Sequence, residues 1–197
     1  MSIKPDYFTY LKHIGHSVTL KEFDASLSES VIAIRHDIDH NINLALEMAF
    51  WEKEMGYRST FFLLHTADYW NDPNFIDKAL QIQDYGHEIG LHVNVLSEWM
   101  KGNVDSVYKE LKRILDQLRQ SGLNVFGIST HGDLFCYRKH FINYWCFSEL
   151  KPDDPLRTES GLNAEGISAE NETQSIAYPE NHKLTREDKR EFPLWSV

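Results

Sequence analysis

Val31-Ile32-Ala33-Ile34-Arg35-His36-Asp37-Ile38-Asp39-His40 is the stretch that decides the fold: a run of apolar β-formers stops abruptly in ionisable groups. Side chains alternate along an extended segment with a period of two, so Asp37 and Asp39 stand on the same side and can share one target. Two like charges held that close would raise one pKa unless a cation or hydrogen-bond donors keep both ionised. A divalent metal is the natural solution. In the blander alternative, one aspartate caps the helix that follows and the other meets Arg35 in an ordinary salt bridge. What lies downstream favours the metal.

The chain repeats the same transition three more times. Asn41 or Asn43 can cap a helix whose inner positions are Leu44, Met48, Trp51 and Met55, with Gly56 at its end. Ser59-Thr60-Phe61-Phe62-Leu63-Leu64 is β-rich and runs into His65, after which Asp72-Pro73 opens a second helix with Phe75, Ile76, Ala79, Leu80 and Ile82 inward and Gly86 as its stop. Glu88-Ile89-Gly90-Leu91 is a third strand that enters His92. A helix over 104–120 then carries Val107, Leu111, Ile114, Leu115 and Leu118 at helical spacing before Gly122. Val125-Phe126-Gly127-Ile128-Ser129-Thr130 is a fourth strand and meets His131-Gly132. This alternation is the signature of an α/β fold with parallel strands and crossover helices. In parallel β/α barrels the active site gathers at the C-terminal ends of the strands, and the four ends here carry Asp37 with Asp39, His65, His92 and His131. Any one of these histidines reads equally well as a packing residue; the four ends together point to one site.

At 197 residues the chain reads as a single domain, 1–197, with a lead-in over 1–30, a β/α core over 31–132 and a C-terminal part over 133–197, aromatic over 138–150 and polar over 151–189, that is open to being a shortened one. In that part Phe141, Tyr144, Trp145 and Phe147 read as core, 185–190 as one or two helical turns, and Phe192-Pro193-Leu194-Trp195 as an ending that packs back on the body. Twenty basic against thirty acidic residues give a net charge of −10, which argues against nucleic acid as a partner. No run reaches the length of a membrane span and the first residues lack the apolar core of a signal peptide, so the expectation is a cytoplasmic protein. Cys136 and Cys146 match neither a metal motif nor a disulfide framework and read as reduced, buried thiols. A serine-nucleophile elbow, a phosphate-binding Gly-Lys loop and a dinucleotide fingerprint are all absent.

Over residues 31–132 the motifs resemble the polysaccharide deacetylases of the NodB-homology type, carbohydrate esterase family 4. Three segments carry the resemblance: Arg35-His36-Asp37-Ile38-Asp39, Ser59-Thr60-Phe61-Phe62, and Gly86-His87-Glu88-Ile89-Gly90-Leu91-His92. It implies a distorted, incomplete (β/α) barrel and a divalent metal, Zn2+ first among the candidates, held by one Asp and two His, with a second Asp as general base. On this sequence Asp37 looks like the base, Asp39 the carboxylate ligand and His92 the first histidine ligand. The family's second histidine stands four residues on, where this chain has Leu96. His131 is the candidate for the missing ligand, with general acid and substrate hydrogen-bond donor as competing roles. Asn94 is a candidate polar contact to substrate, as is His65, and Trp99 offers a face for sugar stacking alongside Tyr69 and Trp70. His36 and His40 read as supporting or structural, and His87 as structural. The family's late-strand histidine has no visible counterpart, His182 standing in a polar setting.

The activity so implied is metal-dependent removal of an acetyl group from an N-acetylated sugar or glycan precursor, with a small-molecule or oligosaccharide substrate. Two rivals stand beside it. One is a catalytically weak or inactive deacetylase-like module that binds a glycan, which Leu96 favours; the other is a metal-dependent amidohydrolase acting on a non-sugar amide.

Overall fold

A computed structural model of the chain describes residues 5–23, 31–139, 143 and 195–196. In order these form α1 (Pro5–Leu11), β1 (Ser17–Val18), β2 (Ile32–Ala33), β3 (Arg35–Ile38), α2 (Ile42–Glu54), β4 (Thr60–Leu64), a 3-10 turn (Asp68–Asn71), α3 (Phe75–Asp84), β5 (Glu88–Val93), α4 (Val95–Met100), α5 (Val107–Gln120), β6 (Val125–Thr130), α6 (Leu134–Lys139) and β7 (Trp195–Ser196). Five of the strands make one sheet in the order β6-β5-β4-β3-β7, and every pairing in it is parallel. The fold is therefore α/β with parallel strands, and among the described residues the sheet does not close into a barrel. No helix among them is long and apolar enough to cross a membrane.

Register separates the two faces of the sheet. His36 pairs with Phe61 and Phe61 with Ile89, whereas Asp37 pairs with Phe62 and Phe62 with Gly90. The first set belongs to the helix side, where Ile38, Phe61, Leu63, Ile89, Leu91 and Val93 join Ala45, Ala49, Ala79, Ile82, Leu111, Ile114 and Leu118 in one buried core. The second set leaves Arg35, Asp37, Phe62, Gly90, His92 and Ser129 together on the other face. Helix ends follow local chemistry. Asn41 Oδ1 accepts the backbone N–H groups of Asn43 and Leu44, Ser106 Oγ accepts that of Lys109, and Gly86 and Gly122 take the positive φ that turns the chain out of α3 and α5.

The structure corrects several sequence expectations. The first strand of the main sheet begins at Arg35, so His36 and Asp37 lie within it; Ile32–Ala33 instead pairs in parallel with Ser17–Val18. Helix α2 is rotated from its expected inner stripe. It buries Ile42, Ala45, Ala49 and Glu52, while Leu44, Met48 and Met55 are half-buried and Trp51 is 40% exposed. Two alanines let the helix lie close on the sheet, and a partnered glutamate on the inner face disguises the period. The segment after β5, expected as loop, contains α4. Cys136 is buried and free, whereas Cys146, His182, the aromatics Phe141, Tyr144, Trp145 and Phe147 and the turns over 185–190 lie outside the described residues. Of the expected C-terminal return, Trp195 is described: β7 pairs with β3, His36 opposite Trp195.

One glycine is required by packing. A Cβ on Gly90 would lie 2.4 Å from two ring carbons of Phe62 and 3.2 Å from the carbonyl oxygen of Gly127, so the ring occupies the space a side chain would need. Gly90→Ala is expected to lower stability by about 1–3 kcal/mol, because the aromatic ring must leave its place on the sheet. A chemical-denaturation midpoint equal to wild type would show that Phe62 moves aside without cost.

Candidate metal centre

The site assembles at the C-terminal ends of β3, β5 and β6. Asp39 follows the last residue of β3, His92 is the next-to-last residue of β5, and His131 follows β6. The backbone N–H of His131 donates to Val93 O at 2.8 Å, continuing the β5–β6 ladder by one step and bringing the two histidines alongside. Between Ile89 and Leu91 the β5–β6 register slips, since these pair with Val125 and Ile128, so β6 carries an extra residue just before it delivers Ser129 and His131. At the neighbouring strand ends Tyr69 donates its hydroxyl to Ile38 O and accepts from Leu64 N, both at 2.7 Å, which ties β3 to β4.

Three ligand atoms converge. His92 Nε2 lies 3.3 Å from His131 Nδ1, and Asp39 Oδ1 lies 3.6 Å from each of them. These separations match the edges of a tetrahedron built on metal–ligand bonds of about 2.0–2.2 Å, which are about 3.3–3.6 Å long. The donor chemistry fits as well. His92 Nδ1 is 3.1 Å from the carbonyl oxygen of Ser129, which can only accept, so the proton sits on Nδ1 and the Nε2 lone pair faces the cluster. Burial lowers the His92 pKa, against the pull of Asp37 and Asp39, and so favours the neutral ring a metal needs. Asp39 Oδ1 is buried and has no hydrogen-bond partner among the described residues. A buried carboxylate oxygen left without a donor is costly unless something positive meets it. Asp39, His92 and His131 form the one such metal-competent group among the described residues.

Asp37 occupies a different position. Arg35 holds its carboxylate in a fork, Nε to Oδ1 and Nη2 to Oδ2, both at 2.8 Å, and the same guanidinium reaches Ser129 Oγ and stacks 5.0 Å from the centre of the Phe62 ring. Asp37 Oδ2 is 3.8 Å from His92 Nε2, beside the ligand group and outside it. The two aspartates therefore divide their tasks: one is oriented by a cation on its own strand, the other is left with a free oxygen.

The remaining expected residues fall around this centre. His65 follows β4, and its Nε2 accepts the backbone N–H of Asn94 at 2.9 Å; burial drives its pKa down to about 4, so it braces the β5–α4 turn as a neutral ring. Asn94 is buried and spends its side chain on Asp133 and Asn143. Trp99 and Trp70 are half-buried against the core, and Tyr69 is buried. Leu96 is fully buried in that core, because β5 ends at Val93 and position 96 falls on the first turn of α4. The third member of the group, His131, stands instead at the end of β6. His36 and His87 lie on the helix side of the sheet, and His40 is exposed. Ser129, Asn143, Asp133 and Lys101 carry no sequence expectation as site residues. Ser129 had a signal, standing two positions before His131 on a strand.

An ionic latch outside the group of three ties the segment after β6 to the end of α4. Asp133 accepts from Lys101 Nζ at 2.8 Å, Asn94 Nδ2 at 2.9 Å and Phe135 N at 2.7 Å. Burial raises its pKa, but these donors outweigh it and bring the carboxyl from 3.8 to about 2. Its contribution to stability is thus complete above about pH 4 and is lost as pH falls towards 2. Asp133→Asn is expected to cost on the order of 1 kcal/mol at pH 7 and progressively less at pH 4 and pH 3. Urea titrations at the three pH values check this, and a gap that does not change with pH would remove the charge from the explanation.

No family model matches the chain, nor does any curated protein or solved structure.

Proposed function

We propose that the chain is a metal-dependent hydrolase of the polysaccharide-deacetylase type that removes the acetyl group from an N-acetylated sugar or glycan precursor, and that its sheet is an incomplete (β/α) barrel of the NodB-homology kind. The observation that carries this reading is Asp39 Oδ1, buried without a donor and 3.6 Å from two imidazole nitrogens. In it Asp39, His92 and His131 would hold the ion, and a set of two imidazoles and one carboxylate suits zinc. Such an ion, when bound, acidifies water and polarises an amide carbonyl. Asp37 is the proton acceptor. It stands beside the ligands without belonging to them, and the Arg35 fork fixes the direction of its lone pairs. The ligand role is preferred for His131 over general acid because its Nδ1 faces Asp39 and His92. Leu96 had supported an inactive binding module; in this reading His131 supplies the imidazole that position 96 lacks.

The test is zinc content of protein prepared without chelators, together with acetate release from N-acetylated amino sugars. Wild type is expected to take up one equivalent and to release acetate. Asp37→Asn is expected to keep the metal and to lose roughly 10²–10⁴-fold in rate. Absence of zinc uptake would sink the hydrolase reading, and a zinc protein that cleaves only non-sugar amides would move it to another substrate class.

A further inference from the structure

Asn143 stands beside the candidate metal centre with both polar atoms of its side chain engaged. It is 2% exposed; its Nδ2 donates to His131 O and to Asn94 Oδ1, each at 2.8 Å, and its Oδ1 accepts the backbone N–H of Ser97 at 3.0 Å. The orientation of the amide is fixed by chemistry, since a carbonyl oxygen can only accept and a backbone N–H can only donate. Ser97 Oγ and Cys136 Sγ complete its surroundings at 3.2 and 3.3 Å.

We infer that Asn143 is a positioning residue that sets the spacing of His92 and His131, because one buried amide clamps the two chain segments that leave β5 and β6. On the β5 side it holds Asn94, two residues beyond His92, and Ser97 in the first turn of α4. On the β6 side it holds the carbonyl of His131 itself, whose N–H is already taken by Val93 O. His131 lies outside the strand and precedes Gly132, so its backbone has no ladder beyond that single bond to direct its ring. The amide supplies the second point of attachment, and two fixed points orient the peptide that carries Nδ1 towards His92 Nε2. Asn94 extends the clamp through Asp133 to the outer latch. Asn143, which follows α6 and is not one of the three ligands, thereby acts on them.

This inference rests on the metal reading, and the experiment separates the two. Full-length wild type, Asn143→Asp and Asn143→Ala are compared for zinc affinity by competition with a chromophoric chelator and for the visible absorption of the Co2+ form. Asn143→Asp keeps the acceptor for Ser97 N but turns an oxygen towards two other oxygens. It is expected to weaken zinc binding by about 10- to 100-fold, with altered Co2+ bands and an unchanged far-ultraviolet circular dichroism spectrum. In a His131→Ala background the same substitution is expected to cause no further loss. Unchanged affinity and unchanged Co2+ bands overturn the inference, as does an equal loss in the His131→Ala background. Should Asn143→Asp fail to fold, Asn143→Ala, which removes the clamp without the repulsion, carries the same comparison. Wild type that binds neither zinc nor cobalt overturns the metal reading, and the inference with it.

Discussion

His92→Ala is expected to reduce zinc affinity by roughly 1,000-fold or more, about 4 kcal/mol, with Asp39→Ala close behind. Of the three ligand atoms, His92 Nε2 is the most prepared: its ring is buried, its tautomer is set by Ser129 O, and it lies 3.3 Å from His131 Nδ1 and 3.6 Å from Asp39 Oδ1. Removing it leaves one imidazole and one carboxylate, a pair that holds zinc far less securely in competition with water. Loss of metal should also leave the apoprotein folded, because the helix-side core does not depend on the cluster. Equilibrium dialysis with thermal melts of the metal-free proteins checks both parts. Zinc binding by His92→Ala at wild-type affinity would mean that the ion, if one is bound, sits elsewhere.

The second large effect is structural. Glu52 is fully buried on the inner face of α2, where its carboxylate meets His36 Nε2 at 2.7 Å, Ser59 Oγ at 2.6 Å and the hydroxyl of Tyr7. Through these partners it joins α1, α2 and β3 to the strand entrance at Ser59, while His87 accepts Ser59 N and donates to Ala49 O nearby. Burial pushes the Glu52 carboxyl up, and the combined pull of His36, Ser59 and Tyr7 outweighs it and leaves the group below its ordinary range. Glu52→Ala removes one side chain and strands three donors in a dry interior. The expected cost is about 3–5 kcal/mol, a large part of the stability of a domain this size. Urea denaturation at neutral pH measures it, and a loss below about 1 kcal/mol would mean that water or rearranged neighbours satisfy the three groups. Because the folded carboxyl titrates low, the wild-type advantage is complete above the ordinary carboxylate range and is lost as pH falls through the folded value.

These two sites differ in how far the sequence reveals them. The β/α alternation is legible because it rests on local periodicity, as in α5, where Val107, Leu111, Ile114, Leu115 and Leu118 are all buried as spaced. Strand ends are legible for the same reason, and with them Asp39, His92 and His131, since a parallel sheet brings its C-terminal ends together whatever the loops do. Parity placed Asp37 and Asp39 on one side. It allowed Arg35 to meet one of them in a salt bridge, but could not say that Asp37 would be the one and that Asp39 Oδ1 would be left without a donor. Glu52 was hidden because a charged residue on an inner helical position breaks the apolar stripe, and its partners come from 45 residues before to 7 residues after it. Asn143 was hidden more completely: nothing in its neighbours' spacing marks a contact reaching back 49 residues to Asn94. Leu96 stands fully buried at the start of α4, where the resemblance would have a second histidine, and the group of three is completed by His131, the candidate that the sequence offered.

The alternation of the central strands has a further consequence for how such a protein can change. Every second residue of β3, β4 and β5 is anchored among the helices, while the intervening ones, Arg35, Asp37, Phe62 and His92, face the other way. One stretch of gene thus interleaves two sets of codons under different demands: a substitution in the first set disturbs the helix-side core, whereas one in the second falls on buried residues that also shape the site, Phe62 and His92 being 1% and 2% exposed. Gly90, wedged under Phe62, is a point where packing and site are coupled.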